Sequence, residues 1–542
     1  MRKTKIPAIF LCFFVSFFIF SCASNKEQPI DPEKAVYELA PITRTVRTPG
    51  EGVYYCVFVR AFADSDGDGT GDFKGLTARL DYLNDGNDNT VSDLGITGIW
   101  LMPIFPSQSY HGYDVDDYYN VNPDYGTMED FEIFLAEAEK RGISVIIDMT
   151  CNHSSVYTDW FIASKDPSSP YRNWYRWADE GDPRYNLNQR IWGHPLWNKV
   201  GNSYYSGLFV PSMPDFNLAN PEVREEFKKI SKFWMDKGVD GFRFDAAGHV
   251  FNAAKIPAGE SSEQQAVAWW TELVGYIKTE NPEAYTVGEV WEPPSTRAVY
   301  MRGLDSSFHF DLGTKIIDAI RSGDGGQNNL ANAMYAVYER YAEENPNYTD
   351  APFLTNHDQN RISGMLRGDV AQLKLAASLY ILTEGVPFIY YGEEIGMMGA
   401  KPDEQIRTPM MWKAAGKDSL QTTWIDSKYN KNTIPVDQQE KNKDSLLNYY
   451  KRVIRIKTAH PALYEGRMTP LATERSEIIS WVMESETEKA FVMHNLSPEA
   501  VVVDLPEGID MSLIFTTYPD IAVDGSAVTM PPRGSAVFAA YK

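Results

Sequence analysis

Residues 241–245 read Gly-Phe-Arg-Phe-Asp and follow Val239-Asp240. Phe242, Phe244 and Val239 favour an extended chain. Arg243 and Asp245 are two apart, so they share one face of that strand and both reach whatever its C-terminal end opens on. Working outward, seven more short β-rich runs occur at 53–59, 98–102, 143–148, 285–290, 307–310, 352–355 and 387–391. Most gaps between them carry an amphipathic helical pattern. In one, Asn220-Pro221-Glu222 sets a cap residue before a proline at the first helical position, and Val223, Phe227, Ile230 and Phe233-Trp234 follow at helical spacing. Similar patterns cover 128–140, 264–278, 371–382 and 444–457. Eight strands separated by helices predict an α/β fold, a (β/α)8 TIM barrel.

Two stretches break the alternation. Between the third and fourth strands lie residues 149–238, of which only the last part is helical in pattern, and the rest is rich in Trp, Tyr, Asn, Asp and Pro. A structureless loop of that length is improbable in a compact domain, so 153–215 is predicted to be a small inserted domain over the barrel mouth. Beyond 460, short alternating runs at 478–483, 490–494 and 501–505 predict a C-terminal antiparallel β-sandwich over 461–542. The barrel is thereby divided into 49–152 and 216–460.

Among the 542 residues, 43% are hydrophobic and 13% aromatic, which excludes disorder as the dominant state. Lys+Arg 51 against Asp+Glu 74 leaves a net charge of −23, and such a polyanion repels phosphate backbones and anionic lipid. Nucleic acid is not an expected partner. The four cysteines, Cys12, Cys22, Cys56 and Cys151, are too few for a disulfide scaffold and lack zinc-site spacing. Two of them fall in a leader: Met1-Arg2-Lys3-Thr4-Lys5 is basic, 6–20 is apolar, and Ser21-Cys22-Ala23-Ser24 is small. Ile19-Phe20-Ser21-Cys22 resembles a bacterial lipobox, which implies a signal peptide over 1–21, lipidation at Cys22 and a tether over 22–48. Plain secretion and an uncleaved anchor are the alternatives. The expected location is the cell envelope, with the membrane reached through the lipid alone.

In such a barrel the chemistry gathers where strands end. The third runs into Asp148-Met149-Thr150-Cys151-Asn152-His153, the fourth ends at Arg243 and Asp245, the fifth at Gly288-Glu289-Val290-Trp291, and the seventh runs into Asn356-His357-Asp358. One such group would pass for a surface salt bridge. Carboxylates, an arginine and histidines at four separate strand ends mark one site.

These segments resemble the four motifs of the α-amylase superfamily of retaining glycoside hydrolases, and Met213-Pro214-Asp215-Phe216-Asn217-Leu218 resembles its extra motif near the end of the inserted domain. The likeness spans about residues 50–460. It implies Asp245 as nucleophile, Glu289 as acid and base, and Asp358 as the third catalytic carboxylate. It also implies Arg243 beside the nucleophile and His153, His249 and His357 on sugar hydroxyls. In Tyr110-His111-Gly112-Tyr113-Asp114 it makes Tyr113 the platform under the reacting sugar. Retaining hydrolysis needs two carboxyl groups about 5–5.5 Å apart, which gives the Asp245–Glu289 pair a physical reason. The sequence departs from many relatives at Gly248, where they place a lysine.

The implied activity is cleavage of α-1,4-glucosidic bonds in starch-derived α-glucans. A chain-end α-glucosidase, an oligo-1,6-glucosidase or a 4-α-glucanotransferase is the alternative. Arg407 and Asp114 resemble a pair that closes the pocket of oligo-1,6-glucosidases. A non-catalytic sugar-binding relative is disfavoured because all three carboxylates are present. Asp64-Ser65-Asp66-Gly67-Asp68-Gly69-Thr70-Gly71-Asp72 alternates hard oxygens along a glycine-bent loop and is read as a Ca2+ site. It is no EF-hand, since Gly75 stands where a bidentate Glu is required. The resemblance gives the ligands as Asp64, Asp66, Asp68, the Thr70 carbonyl and Asp72, and makes Asn152 a candidate ligand of a second calcium.

Overall fold

A computed structural model describes residues 36–46, 48–256, 261–325, 330–414, 417–505 and 511–542. The expected signal peptide, Cys22 and the start of the expected tether lie outside them. Eight parallel strands form the centre: β1 Tyr54–Val57, β2 Gly98–Leu101, β3 Ser144–Thr150, β4 Gly241–Asp245, β5 Tyr285–Gly288, β6 Ser306–Phe308, β7 Thr349–Ala351 and β8 Phe388–Tyr390. They lie in sequence order, with β1 paired to both β2 and β8. The seam between β7 and β8 closes through the amides of Val386 and Phe388, which donate to the carbonyls of Asp350 and Pro352 at 2.9 Å each.

The seventh strand departs from expectation. It occupies 349–351 rather than 352–355. Pro352 has no N–H to give to a ladder, so regular pairing stops there and Phe353–Asp358 leave the sheet toward the mouth.

Helices cover the barrel as their patterns require. Thr127 and Asp130 form a reciprocal capping box for Met128–Lys140. The Asn220 side chain accepts from the Glu222 amide at the head of Pro221–Asp236. That helix buries Val223, Phe227, Ile230 and Trp234, and Trp234 Nε1 donates to the Tyr118 carbonyl at 2.8 Å, so the indole leaves no polar atom unpaired in the core.

The insertion between β3 and β4 holds a helix at Asp159–Ser164, a three-stranded antiparallel sheet of Trp177–Asp179, Ser203–Ser206 and Trp197–Val200, and a small hairpin at 190–195. Bridges between His153 and Asp215 and between Tyr175 and Phe216 tie its two ends together where it leaves the barrel. The C-terminal region folds into a five-stranded and a three-stranded antiparallel sheet. Phe491, Met493, Val501, Val528, Met530 and Phe538 form the core they share.

Candidate active site

The barrel register sets the geometry. β3 and β4 pair Asp148 with Arg243 and Thr150 with Asp245. On the other flank β5 pairs Val287 with Arg243, and the Glu289 amide donates to the Phe244 carbonyl at 3.0 Å. Asp148 and Arg243 therefore share one level of the barrel, and Asp245 and Glu289 share the next level toward the strands' C-terminal ends.

Arg243, wholly buried, is the hub. Its Nη1 donates to Asp148 Oδ1 at 2.8 Å and Asp245 Oδ1 at 2.7 Å, and its Nη2 lies 2.8 Å from Glu289 Oε2. The guanidinium plane matches carboxylates in a way no lysine could, and it stacks over Trp100 at 5.1 Å. Burial pushes Asp245 well above the usual carboxylate range and Asp148 up to about 6, with Arg243 opposing both shifts. Asp148 and Asp245 share one permanent cation in a buried site, so this pair retains a proton to higher pH than separate acids would. Glu289 has two further donors: the Ala246 amide to Oε2 and Trp291 Nε1 to Oε1, each at 2.8 Å. Trp291 is in turn stacked on Phe310 at 3.8 Å. Ala246 adopts φ +48°, a left-handed conformation that turns the chain after β4 and aims this amide back at Glu289.

Tyr113 bridges the second half of the site. Its hydroxyl donates to Asp148 Oδ2 at 3.1 Å and lies 2.6 Å from His357 Nε2, and its ring is parallel to the His357 imidazole within 15°. Burial and the nearby Arg407 hold His357 far below the ordinary histidine range, so it is neutral, and its Nδ1 has no protein partner. Arg407 Nη2 binds Asp358 Oδ1 at 2.8 Å while its Nε donates to the His357 carbonyl at 3.0 Å. His153 is buried and pushed down to about 4, and its Nε2 is likewise without a partner. Two neutral imidazoles with an unsatisfied nitrogen suit hydroxyl groups of a sugar.

Over residues 56–466 the chain matches the alpha-amylase catalytic-domain family. It belongs to that family. Residues 478–537 match the C-terminal domain of the alpha-amylase SusG. Alpha-amylase 3 of Dictyoglomus thermophilum is 44% identical over 450 residues, covering 82% of this chain and 84% of the relative. The 4-alpha-glucanotransferase of Thermotoga neapolitana is 31% identical, covering 83% and 97%. Among solved structures, the alpha-amylase from H. orenii superposes with a TM-score of 0.83 at 40% identity, covering 90% of this chain and 99% of that one.

Within this amylase-family site, Asp114 and Arg407 have separate partners, and Asn152 meets a side-chain cation. Asp114 is held by the hydroxyls of Ser107 and Ser109, while Arg407 is engaged with Asp358 and, at 3.7 Å, with Asp403. Asp114 and Arg407 do not contact one another among the described residues, since each is engaged elsewhere. The second calcium position also differs: Asn152 Oδ1 accepts from the buried Lys255 Nζ at 2.5 Å, and that ammonium lies 3.3 Å from Asp215 Oδ1. A side-chain cation of the chain itself occupies the place that was assigned to an ion.

In the 64–72 loop, Asp64, Asp66 and Asp72 bring ligand oxygens within 4.8 Å of one another. Asp68 stands outside that group, exposed, with Oδ1 accepting from the Thr70 amide at 2.7 Å. His249 lies at the far end of the 3-10 turn that follows β4, half-buried beside Phe209 and Trp192.

Sequence reading placed Asp148 at the site without a role and Trp291 beside Glu289 only as apolar surroundings, and it passed over Lys255. Asp148 opens the first motif, and its pairing with Arg243 needed the strand register. Trp291 reaches Glu289 because the chain turns after β5. Lys255 lies in a segment without motif or periodicity, and nothing local marks it.

Proposed function

We propose that this chain is a retaining glycoside hydrolase cleaving α-1,4-glucosidic bonds within α-glucan chains, with Asp245 as nucleophile and Glu289 as acid and base. The observation that carries this reading is the single guanidinium bridging both carboxylates at 2.7 and 2.8 Å. The Asp245 oxygen attacks the anomeric carbon while Glu289 gives its proton to the departing glycosidic oxygen. Water, relieved of a proton by Glu289, then displaces Asp245. Two inversions leave the configuration unchanged. Arg243 orients Asp245 and opposes the burial that favours its neutral form, and the Trp291 and Ala246 donors hold the Glu289 carboxyl on the leaving-group side. Tyr113 serves as a stacking floor, and Asp358, His153 and His357 take hydroxyls of the same sugar.

Internal cleavage is read from the likeness to alpha-amylases at 44% and 40% identity, and the Asp114 and Arg407 pair is what favours the chain-end alternative. We also infer that Asp64, Asp66 and Asp72 would hold one calcium, with the Asp68 carboxylate and the Thr70 carbonyl closing around it. The fit rests on three carboxylates converging in a loop where each would otherwise repel the others. The ion's contribution would be structural: the loop leads into the short helix Phe73–Ala78, which Asp72 caps by accepting from the Gly75 amide.

The test is a time course of products from maltoheptaose and from the same oligosaccharide blocked at its non-reducing end, with the anomer followed by proton NMR. Mixed α-configured maltodextrins from both substrates are expected. Glucose alone from maltoheptaose, with the blocked substrate inert, would assign a chain-end glucosidase instead.

A further inference from the structure

The inserted domain carries five tryptophans whose spacing leaves their roles open, and the structure separates them. Trp174 and Trp197 are buried, Trp160 and Trp177 pack against neighbouring rings, and Trp192 alone among the five has most of its surface in solvent, at 60%. Its backbone is as unusual as its exposure. Ile191 and His194 pair across a two-residue hairpin whose central residues, Trp192 and Gly193, have φ of +46° and +92°. Both positions of such a turn call for glycine, asparagine or aspartate. A bulky aromatic held there is strained by about 1–2 kcal/mol, and strain of this kind is retained where the side chain has a task.

The indole does not face empty solvent. It lies 5.5 Å from the His249 ring and 5.4 Å from Phe209, and Phe209 is 5.2 Å from His153. These rings line the wall beside the turn that follows Asp245. Gly248, next to His249, donates its amide to the Glu289 backbone carbonyl at 3.2 Å, so this turn abuts the strand end that carries the acid. Position 248 has room for a side chain, since a Cβ there would meet nothing closer than 3.6 Å, and packing does not impose the glycine. Position 248 itself supplies no cation, and an exposed aromatic lies beside the adjoining His249.

We propose that Trp192 is the stacking platform for the sugar unit that departs with the glycosidic oxygen, and that it fixes leaving-group specificity in place of a charged contact. This rests on the hydrolase reading above. The ring's face takes the C–H face of a neutral glucose unit, whereas an anionic or bulky branched unit is not favoured there.

The test compares wild type with Trp192→Asn, a residue that suits the turn and so preserves the hairpin, and with Trp192→Phe. Two substrates separate the two sides of the site: maltoheptaose, which needs a leaving sugar, and α-maltosyl fluoride, whose leaving group is a fluoride ion. For Trp192→Asn, kcat/KM on maltoheptaose is expected to fall about tenfold, carried largely by KM, while turnover of the fluoride stays unchanged and Trp192→Phe retains most of the wild-type value. Unchanged maltoheptaose kinetics, or an equal fall on both substrates, would overturn the platform. If wild type turns over neither substrate, the hydrolase reading is what fails. Calorimetry of maltoheptaose binding then makes the same comparison without turnover, and equal affinity of wild type and Trp192→Asn would overturn the platform there too.

Discussion

Replacing Lys255 by methionine tests how the inserted domain is joined to the barrel. The ammonium is fully buried, 2.5 Å from Asn152 Oδ1 at the exit of β3 and 3.3 Å from Asp215 Oδ1 at the end of the insertion. Burial lowers it to about 8, with Asp215 opposing the shift, so it carries its charge at neutral pH. Methionine fills a similar volume and removes that charge, and breaking a buried pair in this way typically costs about 3–5 kcal/mol because the partner is left uncompensated. Asp215 keeps three other donors: Ser206 Oγ at 2.7 Å, the Leu208 amide at 3.0 Å and Asn152 Nδ2 at 3.1 Å. The lower end, about 3 kcal/mol, is therefore expected, equivalent to about a hundredfold faster opening of the junction. Hydrogen exchange of the amides over 203–216, measured at neutral pH against a distant reference such as 488–495, reads this directly. Activity should fall as well, because Asn152 Nδ2 contacts His153 Nδ1 at 3.0 Å and orients that ring. In the Lys255→Met, Asp215→Asn double variant part of the loss should return, since no unpaired carboxylate remains. Unaltered exchange in Lys255→Met would refute the argument. So would full recovery on adding calcium, which would make this a general cation site rather than a lysine pin.

Two other outcomes follow from the site. Chelation should lower the melting temperature by a few degrees, with one calcium recovered per chain and the effect abolished in Asp64→Ala; a second equivalent of bound calcium would contradict the lysine at Asn152. Asp245→Asn should reduce turnover by several orders of magnitude with an unchanged circular dichroism spectrum, because the attacking oxygen is lost while the amide still fills the space; residual activity within tenfold of wild type would exclude Asp245 as nucleophile.

Local pattern carried much of this protein. Alternation of β-rich runs with amphipathic stretches is set by side-chain burial along each segment, so the barrel was legible from the chain, as were the helix over 128–140 and the one beginning after Asn220. The carboxylates at strand ends were legible for the same reason, since a charged residue closing an apolar run must emerge where the sheet stops. Strand seven was misplaced because Phe353 and Leu354 look as apolar as a strand, and the missing N–H of Pro352 outweighs that pattern.

Tertiary structure alone decided the relations between distant segments. Asp148 meets Arg243 through a register across 95 residues, Asp114 and Arg407 each find other partners, and Lys255 arrives at Asn152 from 103 positions away. None of these has a local signature, because a buried charge is placed by whichever counter-charge packing brings to it, and that partner comes from another turn of the barrel. Trp192 shows the same division. Its identity was plain in the sequence, while its strained backbone and its place beside His249 exist only once hairpin, insertion and barrel are packed together.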